Sequence, residues 1–97
     1  MFEKIKKIMN EKYNLVFDED AKDFTDFSGT INNFQNEPFE VEGSIELNGN
    51  EVSYSIAFTD VNRGIEYDGM IGTMNINENN INDVMESIFE PNFVECK

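Results

Sequence analysis

The dipeptide Asn48-Gly49, set between two runs of strict alternation, constrains this chain more than any other feature. Before it, Phe39, Val41, Gly43, Ile45 and Leu47 alternate with Glu40, Glu42, Ser44 and Glu46; after it, Val52, Tyr54, Ile56 and Phe58 alternate with Glu51, Ser53, Ser55 and Ala57. A period of two marks a strand with one buried face, and Asn-Gly is a favoured two-residue hairpin loop because both residues tolerate positive φ. Together they predict an antiparallel hairpin. A loop at Asn48-Gly49 sets Ile45 opposite Val52, Val41 opposite Ile56 and Phe39 opposite Phe58, with the Tyr54 ring covering the missing side chain of Gly43.

The same alternation extends on both sides. Phe27, Gly29 and Ile31 alternate with polar residues and predict a preceding strand, joined to the hairpin by a turn at Gln35-Asn36-Glu37-Pro38. After a turn at residues 60–64, Ile65 and Tyr67 continue the inward face, with Glu66 and Asp68 outward. Gly69 and Gly72 mark a bulge, beyond which Met70, Met74 and Ile76 carry the apolar pattern in a changed phase. Two segments switch to helical spacing: Phe2, Ile5, Ile8, Met9 and Tyr13 near the start, and Ile81, Val84, Met85, Ile88 and Phe89 near the end. Asn79 or Asn80 caps the second helix and Pro91 stops it. Asn14-Leu15-Val16-Phe17 reads as either a short strand or a helix tail, and Asp18-Glu19-Asp20 then breaks the apolar pattern and opens a loop that runs to Asp26. The expected fold is α+β: a single acidic domain over residues 1–97, in which a four-stranded antiparallel meander sheet carries the N-terminal and C-terminal helices packed on one face. The other face is open to solvent.

Charge restricts the partners. The chain has 20 acids against 7 bases, a formal charge of −13. Lys4, Lys6, Lys7 and Lys12 lie in the first twelve residues with only Glu3 and Glu11; the remaining 18 acids face only Lys22, Arg63 and Lys97. Such a surface repels nucleic acid and anionic membranes and speeds encounter with basic proteins. The expected partner is therefore a basic protein surface, with no direct nucleic-acid binding and no membrane contact. The lysines of the first helix read as a complement to acids elsewhere in the chain. Cys96 is the only cysteine, so no intramolecular disulfide can form, and the N-terminus lacks the apolar run of a signal peptide; a cytoplasmic setting is expected. The wealth of Asn, Ile, Lys and Glu fits an AT-rich genome, such as a low-GC bacterium or its phage.

Catalytic chemistry finds little support. There is no histidine, no motif that would activate Ser, Thr or Cys, and no phosphate-binding Gly-Lys-Ser/Thr. Gly69-Met-Ile-Gly72 matches only the two glycines of an RNA-gripping loop and has no basic flank. Neither an enzyme nor a cofactor is expected. Residues 75–86 place oxygen side chains at several positions of a calcium-binding loop. However, Asn replaces the first Asp and the central Gly, so capping asparagines between strand and helix are the better reading and no metal is assigned.

What remains is the acidic outer sheet face: Glu40, Glu42, Glu46, Glu51, Glu66 and Asp68, with Glu46 and Glu51 expected opposite each other. A second candidate is the loop cluster Asp18, Glu19, Asp20, Asp23 and Asp26. A ladder of carboxylates can occupy Lys and Arg sites built for phosphates, which makes an inhibitor mimicking nucleic acid the leading expectation. Small size, acidity and the lack of catalytic residues are shared with anti-restriction and anti-CRISPR proteins, although no family motif is matched. The alternatives are an immunity or antitoxin-like protein neutralising a cognate toxin, and a structural or assembly module whose charge serves solubility.

Overall fold

A computed structural model of the chain describes residues 1–32 and 36–90. The elements run α1 (Phe2–Glu11), β1 (Val16–Phe17), β2 (Phe24–Asn32), β3 (Pro38–Asn48), β4 (Glu51–Asp60), β5 (Ile65–Asn75) and α2 (Ile81–Phe89). The architecture is α+β with an antiparallel sheet in the order β1-β2-β3-β4-β5. It is thus a meander, but with five strands where the sequence predicts four.

The extra strand arises from the end of α1. Asn14 adopts the left-handed region (φ 53°) and the Leu15 N–H reaches back to the Met9 carbonyl (3.0 Å), which stops the helix and reverses the chain. Val16 and Phe17 then pair with Ser28 and Phe27. β2 also begins earlier than its apolar alternation indicates. Phe24 faces outward and Thr25, 2% exposed, faces the core, so the binary pattern is inverted there and reads as loop. The Thr25 hydroxyl is nevertheless satisfied, accepting from the Asp18 N–H (2.9 Å) and donating to the Asp26 carbonyl (2.8 Å).

The central hairpin forms, with a register two residues from the expected one. Asn48 pairs with Glu51, so the loop is Gly49-Asn50. Gly49 has φ 66° and Asn50 does not have positive φ, the pattern of a type II′ turn with glycine first, not of the type I′ turn that Asn48-Gly49 would make. Val41 therefore faces Phe58, Ile45 faces Tyr54 and Leu47 faces Val52. A shift of two leaves every side chain on its expected face. Gly43 lies opposite Ile56, and a Cβ there would sit 1.9 Å from the Ser55 carbonyl oxygen, so only glycine permits this approach of the two backbones. Tyr54 does cover a glycine, but it is Gly72, its partner on β5. The β5 bulge falls where Ile56 pairs with Met70 but Phe58 pairs with Tyr67, which inverts the phase as the sequence indicates.

The inward rows of the sheet and the apolar stripes of both helices form one buried cluster. Phe89 of α2 anchors it, with its ring 5.1 Å from Tyr13 and 5.3 Å from Phe27. Asp60, 1% exposed, is held by Arg63, whose Nη1 donates at 2.7 Å and whose backbone N–H donates at 3.1 Å. Asn80 occupies the N-cap of α2 without a capping side-chain bond; its Oδ1 accepts from the Asn77 N–H, while the Asn77 Oδ1 accepts from the N–H groups of Asn79 and Asn80. The side-chain oxygens of these two asparagines are thus spent on a local turn. Pro91, Cys96 and Gln35 lie outside the described residues.

Lys4 of α1 and Lys12 at its C-cap meet acids elsewhere in the chain, Glu78 (2.6 Å) and Glu90 (3.3 Å), while Lys6 pairs within the helix with Glu3 (2.9 Å). Lys6 is the unexpected one. It is buried, and its Nζ donates to the carbonyls of Glu19 (2.8 Å) and Ala21 (2.6 Å), tying the acidic loop to α1.

Candidate partner-binding face

Because β2, β3 and β4 alternate without interruption, their polar positions share one face, and the register fixes how they meet. Four cross-strand rows result. Thr30, Glu40, Thr59 and Glu66 form one; Ser28, Glu42 and Ala57 the next, reaching the β5 bulge; then Asp26, Ser44, Ser55 and Ile71; then Phe24, Glu46, Ser53 and Thr73. Glu51 lies at the hairpin end between Asn48 and Asn75.

Two consequences follow from this register. No outward strand position in these rows carries Lys or Arg, so among the described residues the bases are confined to α1 and its C-cap Lys12, the loop at Lys22 and the turn at Arg63. Nor are Glu46 and Glu51 opposed: Glu46 faces Phe24 and Ser53. Every outward acid of the rows has uncharged direct partners, which removes the repulsion that opposed carboxylates would add.

The face carries two adjoining hollows. One, of about 430 Å³, is lined by Glu40, Glu42 and Glu66 with the hydroxyls of Ser28, Thr30 and Thr59. The other, of about 820 Å³, shares Ser28 and Glu42 and adds Asp18, Phe24 and Asp26. The two candidate acid sets are thus not separate surfaces. Asp26 belongs to β2 and Asp18 borders the larger hollow, so both join Glu40, Glu42, Glu46 and Glu66. Glu19, Asp20 and Asp23 stay on the exposed loop, where the Asp20 N–H bonds Asp18 Oδ1 (3.0 Å) and the Leu47 N–H bonds the Asp23 carbonyl (2.7 Å). Asp68 lies in the bulged part of β5, and its side chain is outside what is described. Glu46, on the row of Phe24 and Ser53, and Glu51 line neither hollow.

Sequence reasoning missed the apolar part of this face. Val16, Phe24 and Ile71 are 71%, 49% and 84% exposed, and all three point outward by register. Ile71 could have been found from the bulge, since a phase change that turns Met70 inward turns its neighbour outward. Among the described residues, no group of three or more His, Cys, Asp or Glu gathers closely enough to hold a metal ion, and no helix is long and apolar enough to cross a membrane. Comparison with protein-family models, with curated proteins and with solved structures finds no match, so any functional reading rests on the geometry of this face.

Proposed function

We propose that the chain is a non-enzymatic inhibitor that mimics nucleic acid, acting in the cytoplasm by covering the basic surface of a defence or DNA/RNA-processing enzyme, in the manner of anti-restriction or anti-CRISPR proteins. The observation that carries the reading is the segregation of charge: Asp26, Glu40, Glu42, Glu46 and Glu66 share a face whose rows contain no base. Alternate strand residues are roughly 6.8 Å apart and neighbouring strands roughly 4.8 Å. These are of the order of the phosphate steps along a nucleic-acid strand, whose charges advance about 3.4 Å axially while winding about the axis.

Affinity capture from a low-GC bacterial lysate, with and without excess duplex DNA, tests the reading. A captured nucleic-acid enzyme that DNA releases, and that the triple variant Glu42→Lys, Glu46→Lys, Glu66→Lys no longer retains, is the expected result. Retention by the triple variant would refute it. Capture of a protein that DNA leaves undisturbed would favour a cognate toxin, the immunity-type alternative.

A further inference from the structure

The open face is not a plain carboxylate ladder, and its apolar members have a definite arrangement. Phe24 sits two residues from Asp26 on β2, while Ile71 ends the row that runs from Asp26 through Ser44 and Ser55 to β5. The larger hollow is lined by Phe24, by the small side chains Ser44, Ser55 and Ala57, and by Asp26 and Glu42; Ile71 is not part of its lining but borders it as the cross-strand partner of Ser55. Three interstrand spacings separate β2 from β5, about 14 Å. An α-helix with its side chains is about 10–12 Å across, and the DNA major groove that admits such a helix is about 12 Å wide.

We infer that this hollow receives a basic amphipathic α-helix of the partner protein, its apolar stripe seated against Phe24 and Ile71 and its Lys and Arg flanks meeting Asp26, Glu40, Glu42 and Glu66. The inference rests on the mimic reading and adds the form of the occupant. A small floor leaves room for a helix, where long side chains would fill the space. Exposed Phe24 and Ile71 give the occupant's apolar residues a contact that phosphates do not provide. A second copy of this chain is disfavoured as occupant because each carries −13. The smaller hollow with Glu40 and Glu66 extends the acidic wall along one side.

The test uses two synthetic peptides of about 14 residues, long enough to span roughly 21 Å as a helix. One is an amphipathic Leu/Lys peptide; the other has every leucine replaced by serine at the same charge. The full chain is titrated with each and followed by amide chemical shifts and calorimetry. The Leu/Lys peptide is expected to shift amides around Phe24, Ser44, Ser55 and Ile71 and to bind at least tenfold more tightly than the serine peptide. The double variant Phe24→Ser, Ile71→Ser is expected to erase that difference; both positions are exposed, so folding should be retained and is checked by circular dichroism. Equal affinities for the two peptides, or shifts confined to the helical side, would overturn the inference while leaving the charge-based reading standing. Tight Leu/Lys binding that survives Glu42→Lys, Glu66→Lys would overturn the acidic contacts of the inference and the mimic reading together, since the basic flanks would then need neither acid.

Discussion

Replacing Lys6 by methionine isolates the contribution of one buried ammonium group. The substitution keeps most of the aliphatic stem, which packs in α1, and removes the Nζ that donates to the Glu19 and Ala21 carbonyls at 2.8 and 2.6 Å. Two charge-assisted bonds to carbonyls are lost, each contributing roughly 1.5–3 kcal/mol, together with the ion pair to exposed Glu3, which contributes little. Much of that is returned, because the variant no longer desolvates a charge. The uncompensated part is the Ala21 carbonyl, left buried without its donor at a cost of about 1–3 kcal/mol; the Glu19 carbonyl is only partly buried and can take water. Lys6→Met should therefore destabilise the chain by about 1–3 kcal/mol, corresponding to a fall in Tm of roughly 5–20 °C at this size.

Urea unfolding followed by circular dichroism measures this, with an unchanged slope expected if only stability is affected. Hydrogen exchange adds a local readout. The Ala21 N–H, bonded to the Asp18 carbonyl at 3.1 Å, should exchange faster than the β3 and β4 amides once the loop is untied. Lys4→Met serves as the control, since Lys4 and Glu78 are both largely exposed and should show no measurable change. A Lys6→Met variant within about 0.5 kcal/mol of the parent would refute the clamp. It would mean that the loop bearing Asp18 is held by its strand contacts alone.

Other perturbations probe the sheet and the charge pairs. Gly43→Ala should abolish cooperative folding, because its Cβ would lie 1.9 Å from the backbone oxygen of Ser55; a well-dispersed amide spectrum from this variant would contradict the close approach. Gly49→Ala meets no atom within 4 Å but puts an L residue at the glycine-favouring first position of a type II′ turn and should cost about 1–3 kcal/mol, read from the urea midpoint. Burial works to raise the Asp60 carboxyl, but the hydrogen bonds and charge of Arg63 outweigh it and hold it below the usual carboxylate range. A depressed folded-state pKa contributes stability that is present above the unfolded value, near 4, and is lost as pH falls below it. Asp60→Asn should therefore flatten the acid limb of stability against pH below about 4, whereas an unchanged limb would remove Asp60 from the account.

The parts legible in the sequence are those where one period runs uninterrupted. The alternation from Phe39 to Phe58 and the stripes of α1 and α2 each identify an element and its buried face. The parts that were not legible have local causes. Asn48-Gly49-Asn50 contains two possible two-residue loops, and turn preference alone selects the wrong one. Phe24 and Thr25 invert the binary pattern, hiding the start of β2 and an exposed aromatic ring. Lys6 lies on the apolar side of α1, four residues after Phe2 and three before Met9, but its residue type argues for solvent, and the partners that satisfy its Nζ depend on where the loop of Glu19 and Ala21 returns. No local pattern encodes that return.

The register that turn preference misses is one that electrostatics favours. With the loop at Asn48-Gly49, Glu46 and Glu51 would oppose each other; with the loop at Gly49-Asn50, Glu46 faces Ser53, Glu51 faces Asn48, Glu42 faces Ala57 and Glu40 faces Thr59. On β2 the same separation continues, Asp26 facing Ser44, and on β5 Glu66 faces Thr59. Direct repulsion between opposed carboxylates acts at about 4.5–5.5 Å, whereas the summed field of a single-sign face persists to about a Debye length, roughly 10 Å at 0.1 M salt. Interleaving acids with Ser, Thr, Ala and Asn therefore limits the short-range cost while preserving the long-range field. Solubility alone does not require excluding bases from one face, since mixed charges also keep proteins soluble. Single-sign segregation with short-range relief is the arrangement expected of a surface that attracts a basic partner from a distance.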